Sequence, residues 1–470
     1  MRKALLSFVL PLLMPVPVLA QAPPRSPAPL GTDQALPSAP HVEDPLLTPV
    51  PPAPRLIASW NEAIAYLRAR STDLRIAVDQ ALQAEAQTRI ALAAYLPSIN
   101  GASTYTHNIL TTSVPSGAVV IQANGATATS TRVPVPDALS GTVVLQQALI
   151  NAPAFDQISI DELSEDAANL SVEDQKRTLA LSVANQIVSV VTAEREAEIN
   201  RVGLQVALEQ LAISTRKQAL GAANGLDVVR AQQNAANARA TLVRGDETLR
   251  EARESLGLAL GIPEETGVAP DVNIDGIAQS ALGTCRVVPD IDQRSDVAAA
   301  HVRLEVAKRG LRNVYLQFLP TLGTASTLAA STTTSGGYPN PTWNVQAVLQ
   351  VPIWDGGARY GQLRNARAAE DIAAQQLESL RRQALIQVQQ AQRQLVVAEL
   401  SDKVAREQRD LAATNDQMTQ RAYMAGQGTS LELVTASEAH RSAELNLALQ
   451  EFAVVRARIL AVLALATCPW

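Results

Sequence analysis

Several things are scarce in this chain, and each scarcity excludes a class of protein. Phe, Tyr and Trp together make up 3% of the 470 residues, although the hydrophobic fraction is 47%. That excess is Ala, Leu and Val, which suits long, narrowly packed helices better than a thick globular core. Only four histidines are present, His41, His107, His301 and His440, without paired metal spacing and without HExxH, so no metal site is expected. No GxSxG, GxGxxG or phosphate loop occurs; GQGTS at 426–430 lacks the lysine and the preceding strand that such a loop requires. No catalytic constellation or cofactor site can be assembled, and the chain reads as a non-enzyme. The net charge of -6 comes without basic blocks, which leaves nucleic-acid binding without support. Beyond the N-terminus no apolar run reaches the ~18 residues of a spanning helix.

The first residues are of a different kind. Arg2 and Lys3, an apolar run and Val18-Leu19-Ala20 read as a signal peptide over residues 1–20. Residues 21–55 (APPRSPAP, then TPVPPAPR) form a proline-rich, extended leader with no core of its own. Export permits a disulfide between the only cysteines, Cys285 and Cys468; two unpaired small apolar side chains fit the sequence equally well.

The rest of the chain is a tandem duplication. TRKQALGAANGLDVVRAQQNAANARATL (215–242) resembles TQRAYMAGQGTSLELVTASEAHRSAELNL (419–447), with Gly221 matching Gly426 and Asp227 matching Glu432. VVLQQALINAPAF (143–155) matches AVLQVPIWDGGAR (347–359) at nearly the same spacing, and YLPSIN at Pro97 matches FLPTLG at Pro320. The first repeat covers 56–261 and the second 296–466, joined by a linker at 262–295 and followed by a tail at 467–470. In each, a helix stops at proline, a strand pair follows, and a very long helix leads through a glycine turn into a return helix. The second long helix, from about Ala358 to about Met424, would span roughly 100 Å. Val228, Ala235, Leu242, Leu249 and Leu256 recur every seventh residue in one return helix. Leu445, Ala448, Phe452, Val455, Ile459, Val462 and Ala466 alternate spacings of three and four in the other.

TWNVQAVLQVP (342–352) alternates, with Trp343, Val345 and Leu349 on one face and Asn344, Gln346 and Gln350 on the other. Its length fits a bilayer-crossing strand of roughly 9–11 residues, lipid on the first face and lumen on the second. SGTVVLQQAL (140–149) is a weaker copy, and the segments after Pro97 and Pro320 supply two more strands. A barrel needs about eight strands or more, so four per chain require several chains. Tyr95, Tyr105, Tyr315, Phe318, Trp343 and Trp354 gather where helices meet strands, as at a membrane interface.

The export signal, the duplication, the LP stop before each strand pair and PIWDGG opening a long helix resemble TolC-like outer-membrane efflux proteins over about residues 56–466. The fold class implied is mainly α with a small β part: long coiled-coil helices building a trimeric periplasmic α-barrel, and four strands per chain in a shared twelve-stranded barrel. The resemblance implies a Gram-negative outer-membrane homotrimer that works with a periplasmic adaptor and an inner-membrane pump. Adaptor-docking tips fall at Leu220-Gly221-Ala222 and Ala425-Gly426-Gln427. An acidic gate ring falls at Glu432, with Thr435 at the second acidic position. Tyr423 and Asp227 match the locking residues, while the position of their basic partner is Gly428. One acidic ring and fewer locking bonds imply a looser gate. The resemblance also brings the linker and the C-terminal tail beside the tunnel's middle, which makes a Cys285–Cys468 bridge geometrically possible. The alternative from another class is a soluble periplasmic coiled-coil scaffold or adaptor with the strands as a small sheet.

Overall fold

A computed structural model describes residues 41–470 apart from 108, 111–113, 122–126, 133–136, 271–275, 277–278, 281–282, 333–340 and 469. The signal peptide and residues 21–40 of the leader lie outside the described residues. Val42–Trp470 form one compact unit.

The first repeat opens with β1 (Arg55–Ile57), α1 (Trp60–Arg70) and α2 (Thr72–Ala93). Ser59 and Ser71 begin the two helices by accepting hydrogen bonds from Glu62 N and Leu74 N, which satisfies amides that have no intrahelical partner. Pro97 separates α2 from β2 (Ser98–His107). A hairpin of β3 (Val114–Ile121) and β4 (Thr127–Arg132) intervenes before β5 (Asp137–Ile150). The sequence pattern offered two strands here; the insert of the first copy supplies this further pair. Next come α3 (Ala152–Ala219, 68 residues) and α4 (Gly225–Ala259). Short strands β6 (Thr266–Val268) and β7 (Arg286–Val287) mark the linker. The second repeat follows the same order with α5 (Ser295–Leu316), β8 (Thr321–Ser331), β9 (Thr342–Gln350), α6 (Ala358–Met424, 67 residues) and α7 (Ser430–Leu463), closing on β10 (Ala466–Thr467). At about 1.5 Å per residue α3 and α6 are each about 100 Å long.

The packed core lies midway along α3. Trp60, Leu67, Val183, Ile187, Leu256, Leu260 and Leu463 are buried together there. β1 pairs in parallel with β6, and β10 pairs antiparallel with β7. A disulfide joins Cys285 to Cys468 beside the second pair, and Trp470 packs on the same core with Arg68 over its ring. Arg294, 1% exposed, is satisfied by the Asp296 carboxylate at 2.7 and 2.6 Å and by Ala464 O at 3.2 Å. Of the two return-helix seams, the first is fully buried from Val228 to Leu256. In the second, Ala448, Ile459 and Ala466 are buried while Leu445, Phe452, Val455 and Val462 stay half-covered.

The described part of the leader borrows a core from Val42 onward, with a single turn at Pro45–Leu47. Leu46, Leu47 and Val50 pack on α3 and α4.

Candidate functional site

Two regions carry chemistry beyond packing: the sheet and the helical tips. The sheet has the order β2-β5-β8-β9, antiparallel throughout. Directly opposed residues in antiparallel strands share a face, so the register sorts the side chains into rows. Tyr105↔Leu139, Ile99↔Leu145, Val143↔Leu328, Leu328↔Trp343 and Leu322↔Leu349 all fall on one face. Trp343 is 76% exposed and Ile99 71%, and Trp343 Nε1 donates to Ser326 Oγ at 2.8 Å on that face. The opposite face takes Asn100, Thr104, Thr142, Gln146, Thr327, Asn344, Gln346 and Gln350, with Val144 and Val348 the apolar exceptions. Poor alternation in residues 321–331 is thereby explained: Leu322 and Leu328 are the only large side chains, both on the apolar face, and small Gly, Ala, Ser and Thr fill the rest of both faces. β2 and β9 are paired on one side only.

Below the sheet an aromatic contact recurs in each repeat. Tyr95 meets Phe155 edge-on at 4.9 Å, joining the end of α2 to the start of α3. Phe318 meets Tyr360 at 5.8 Å, joining the end of α5 to the start of α6. PIWDGG works as a turn: Asp355 accepts from Gly357 N at 3.1 Å and from Arg359 N at 3.0 Å, with Gly356 and Gly357 at φ +70° and +91°.

At the far end, α3 turns into α4 through Gly221 (φ +71°) and α6 into α7 through Gly426 (φ +74°). Leu220, Gly221, Ala222, Ala425, Gly426 and Gln427 are all exposed there. Tyr423 is buried, and Lys217 of α3 sits against it with Nζ 3.6 Å from the ring centroid and 3.3 Å from Tyr423 O. Burial pulls the Lys217 ammonium below its ordinary pKa, opposed by the attraction of Asp227. Ser430 Oγ donates to Asp227 Oδ1, and Arg230 lies 4.0 Å from the same carboxylate. Two contacts therefore clasp the first hairpin to the second, Lys217 to Tyr423 and Asp227 to Ser430.

Sequence reasoning named Tyr423 and Asp227 without naming their partners. The cation absent at Gly428 is supplied from another helix by Lys217. The available signal was a lone lysine in the last turn of α3, where the helix dipole also favours a positive charge. Gly428 leaves little room for a side chain, because a Cβ there would stand 3.1 Å from Tyr423 N and that backbone would have to give by a few tenths of an ångström.

Glu432 is engaged locally. Its carboxylate accepts from Thr429 N at 2.8 Å and Thr429 Oγ1 at 3.0 Å, while Glu432 N donates to Thr429 Oγ1 at 3.2 Å. This capping box starts α7, and the Thr429 amide and hydroxyl hold the Glu432 carboxyl below its usual range. The Thr435 hydroxyl is spent on Leu431 O and Glu432 O of its own helix. Among the described residues no His, Cys, Asp and Glu cluster could hold a metal ion, and no helix is long and apolar enough to cross a membrane.

A four-stranded sheet with one apolar face, continued by two helices of about 100 Å that each fold back into a shorter return helix, is the architecture of outer-membrane channel subunits. The solved outer membrane protein VceC from Vibrio cholerae has this fold, with TM-score 0.70 and 18% identity, covering 86% of this chain and 95% of that one. The chain belongs to the outer membrane efflux protein family, whose model matches residues 63–262 and 291–465. It is 22% identical over 332 residues to the alkaline protease secretion protein AprF of Pseudomonas aeruginosa, covering 69% of each chain. To the outer membrane protein OprJ of the same organism it is 26% identical over 261 residues, 53% of this chain and 51% of that one. Members of the family are transport channels, not enzymes, and the location is the outer membrane of a Gram-negative cell.

Proposed function

We propose that three copies of this chain join their sheets edge to edge into one twelve-stranded outer-membrane barrel, continued below by a helical tunnel through the periplasm. Substrates delivered by an inner-membrane pump through a periplasmic adaptor pass along it by passive conduction. The observation that carries this reading is the sheet. Its outer rows are apolar and exposed, which counts against the water-soluble scaffold, and an open edge in lipid leaves backbone groups without partners. Four strands are too few to close, and edges β2 and β9 of neighbouring copies complete each other. Trp343, Val345 and Leu349 then meet lipid, and Asn344, Gln346 and Gln350 line the lumen.

The helices support the same assembly. Val397, Leu400, Val404, Leu411 and Met418 form an exposed stripe on α6 at heptad spacing, and Leu226, Val229, Ala236 and Val243 form another on α4. Neither stripe is covered by the described residues, and each suits the other from a second copy. At the tips, Lys217, Tyr423, Asp227 and Ser430 latch the gate, Glu432 supplies the acidic ring, and the loops at Gly221 and Gly426 receive the adaptor. Extraction in detergent followed by native mass measurement and planar-bilayer recording tests this. A trimer that conducts is expected, and a water-soluble monomer overturns the reading.

A further inference from the structure

A group of side chains in the second repeat serves neither the sheet, the helical seams nor the tip. It stands where α5 and β9 end and α6 begins. The outward row of β9, Trp343, Val345 and Leu349, keeps its spacing of two through Val351 and Ile353, which are 53% and 88% exposed. From Trp343 to Val351 that row covers roughly 26 Å of strand, or about 20 Å of height at a barrel tilt of ~35–45°. An apolar band ~25 Å tall therefore ends at Ile353 and Trp354, the latter 74% exposed. Edge strands join through their backbones, so the row still faces outward once copies meet.

Just beneath that level the first turns of α6 become cationic. Tyr360, Arg364 and Arg367 recur at spacings of four and three, which puts them on one face of the helix, and all three are exposed. Tyr360 meets Phe318 edge-on at 5.8 Å, and Arg367 Nη2 donates to the Tyr315 phenol oxygen at 2.7 Å. Among the described residues neither Arg364 nor Arg367 pairs with a carboxylate, and Arg364 makes no hydrogen bond. Arg359 differs: it is buried, its Nε donates to Asp355 at 2.8 Å and its guanidinium lies 4.8 Å from the Phe318 centroid. From Tyr360 to Arg367 the helix descends about 10 Å, close to the roughly 5–8 Å of headgroups on each side of a bilayer.

The first repeat lacks this group. Aligned on the matching aromatic contacts, where Phe155 stands for Tyr360 and Tyr95 for Phe318, Arg364 becomes Ser159, Arg367 becomes Glu162 and Tyr315 becomes Leu92. The same helix junction is built there without the two arginines or the phenol, so packing does not demand them in the second copy.

We propose that Tyr315, Arg364 and Arg367, with Ile353, Trp354 and Tyr360 above them, form a binding site for an anionic phospholipid of the leaflet facing the periplasm. The two guanidiniums take the phosphodiester, each fork matching a pair of phosphate oxygens. The Tyr315 hydroxyl positions Arg367, and the apolar trio beds the glycerol and the first acyl carbons. Continuity with the lipid-facing row makes a lipid the occupant, and Glu162 at the matching place confines the site to one per chain. This inference rests on the channel reading above, which supplies the bilayer.

The test is tryptophan fluorescence of the full chain in vesicles of equal parts phosphatidylglycerol and phosphatidylethanolamine, with brominated acyl chains on one lipid or the other. Trp343 and Trp354 face lipid, whereas Trp60 and Trp470 belong to the packed core. Trp343→Phe leaves Trp354 as the reporter of the site, and Trp354→Phe leaves Trp343 as the reporter of insertion. A guanidinium near an anionic headgroup favours it about fivefold, so Trp354 should be quenched as if phosphatidylglycerol were enriched about tenfold or more beside it. Arg364→Gln, which breaks no contact within the chain, should cut that preference about fivefold, and adding Arg367→Gln should abolish it. Equal quenching of Trp354 by both lipids, or a preference that survives Arg364→Gln, overturns the site. A like preference at Trp343 would make the charge effect general and overturns it too. Preference abolished by excess inorganic phosphate at constant ionic strength overturns the lipid assignment in favour of a soluble anion. Should the double variant fail to assemble, Arg364→Gln decides alone. Trp343 quenched by neither lipid sinks the channel reading, whereas Trp343 quenched with Trp354 indifferent sinks the lipid site alone.

Discussion

Replacing Lys217 with Gln removes the charge at the tip and keeps most of the side chain's reach. Its ammonium lies 3.6 Å from the Tyr423 ring centroid and 3.3 Å from Tyr423 O. A partly covered cation–π contact contributes about 0.5–2 kcal/mol, and a hydrogen bond from a charged donor adds to it. With solvent screening at a site still partly open, about 1–2 kcal/mol per chain is a fair figure. If three such latches release together, the closed state loses about 3–6 kcal/mol, a shift on the order of 10²–10⁴ in the closed-to-open ratio. Single-channel recording of the purified protein should show a large rise in open probability. Lys217→Arg should restore closure, because a guanidinium also stacks on an aromatic face. The Asp227–Ser430 contact is untouched, so the oligomer and its melting temperature should hold. Wild-type open probability in Lys217→Gln would refute the latch. A large fall in melting temperature with gating unchanged would mean the contact holds the fold alone.

Glu432→Gln keeps a side chain able to cap Thr429 N and removes the charge; block by multivalent cations should weaken with melting unchanged, and undiminished block would count against the acidic ring. Reducing the Cys285–Cys468 bridge, or replacing both residues by Ala, frees a loop of 183 residues and should cost about 2–5 kcal/mol. A melt with and without reductant measures it, and an unchanged midpoint contradicts the bridge's role. Docking of residues 42–50 on α3 and α4, where Arg239 Nε donates to Asp44 Oδ2 at 2.9 Å and Leu46 N donates to Asp44 Oδ1 at 2.9 Å, should depend on acid. The Leu46 amide and then Arg239 lower the Asp44 pKa below its ordinary 3.8. The contribution is therefore complete above 3.8 and lost as pH falls through the lowered value. Exchange at 235–242 should quicken only there, and loss already near neutral pH would contradict the assignment.

The duplicated architecture was legible because its signals are local and repeated. Proline stops at Pro97 and Pro320, glycines at 221 and 426 with positive φ, and a seven-residue seam along α4 each act within a few residues. What stayed hidden depends on neighbours distant in sequence. The faces of β8 emerge only when its register against β5 and β9 is known, since Leu322 and Leu328 are its only large side chains and the rest are too small to declare a side. The β3–β4 hairpin sits in the insert that distinguishes the first copy, where comparison with the second offers no guide. Lys217 has no repeat partner, because the corresponding position is Ala422, and nothing local marks Ser430 as a partner of Asp227. The packing of residues 42–50 on α3 and α4 hid behind composition: a proline-rich run reads alike whether it lies in water or in a groove. Glu432 shows the converse: expected as a gate charge, it is engaged in the structure as the last member of a capping box with Thr429.

The disulfide also fixes an order of events. Cys468 follows Cys285 by 183 residues, and both hairpin helices of the second repeat lie between them. A chain exported N-terminus first presents Cys285 while that repeat is still to come. The bond can therefore close only after α7 has been delivered and has brought β10 beside β7. Oxidation at this one point then records that the second half of the duplication has arrived and docked on the first.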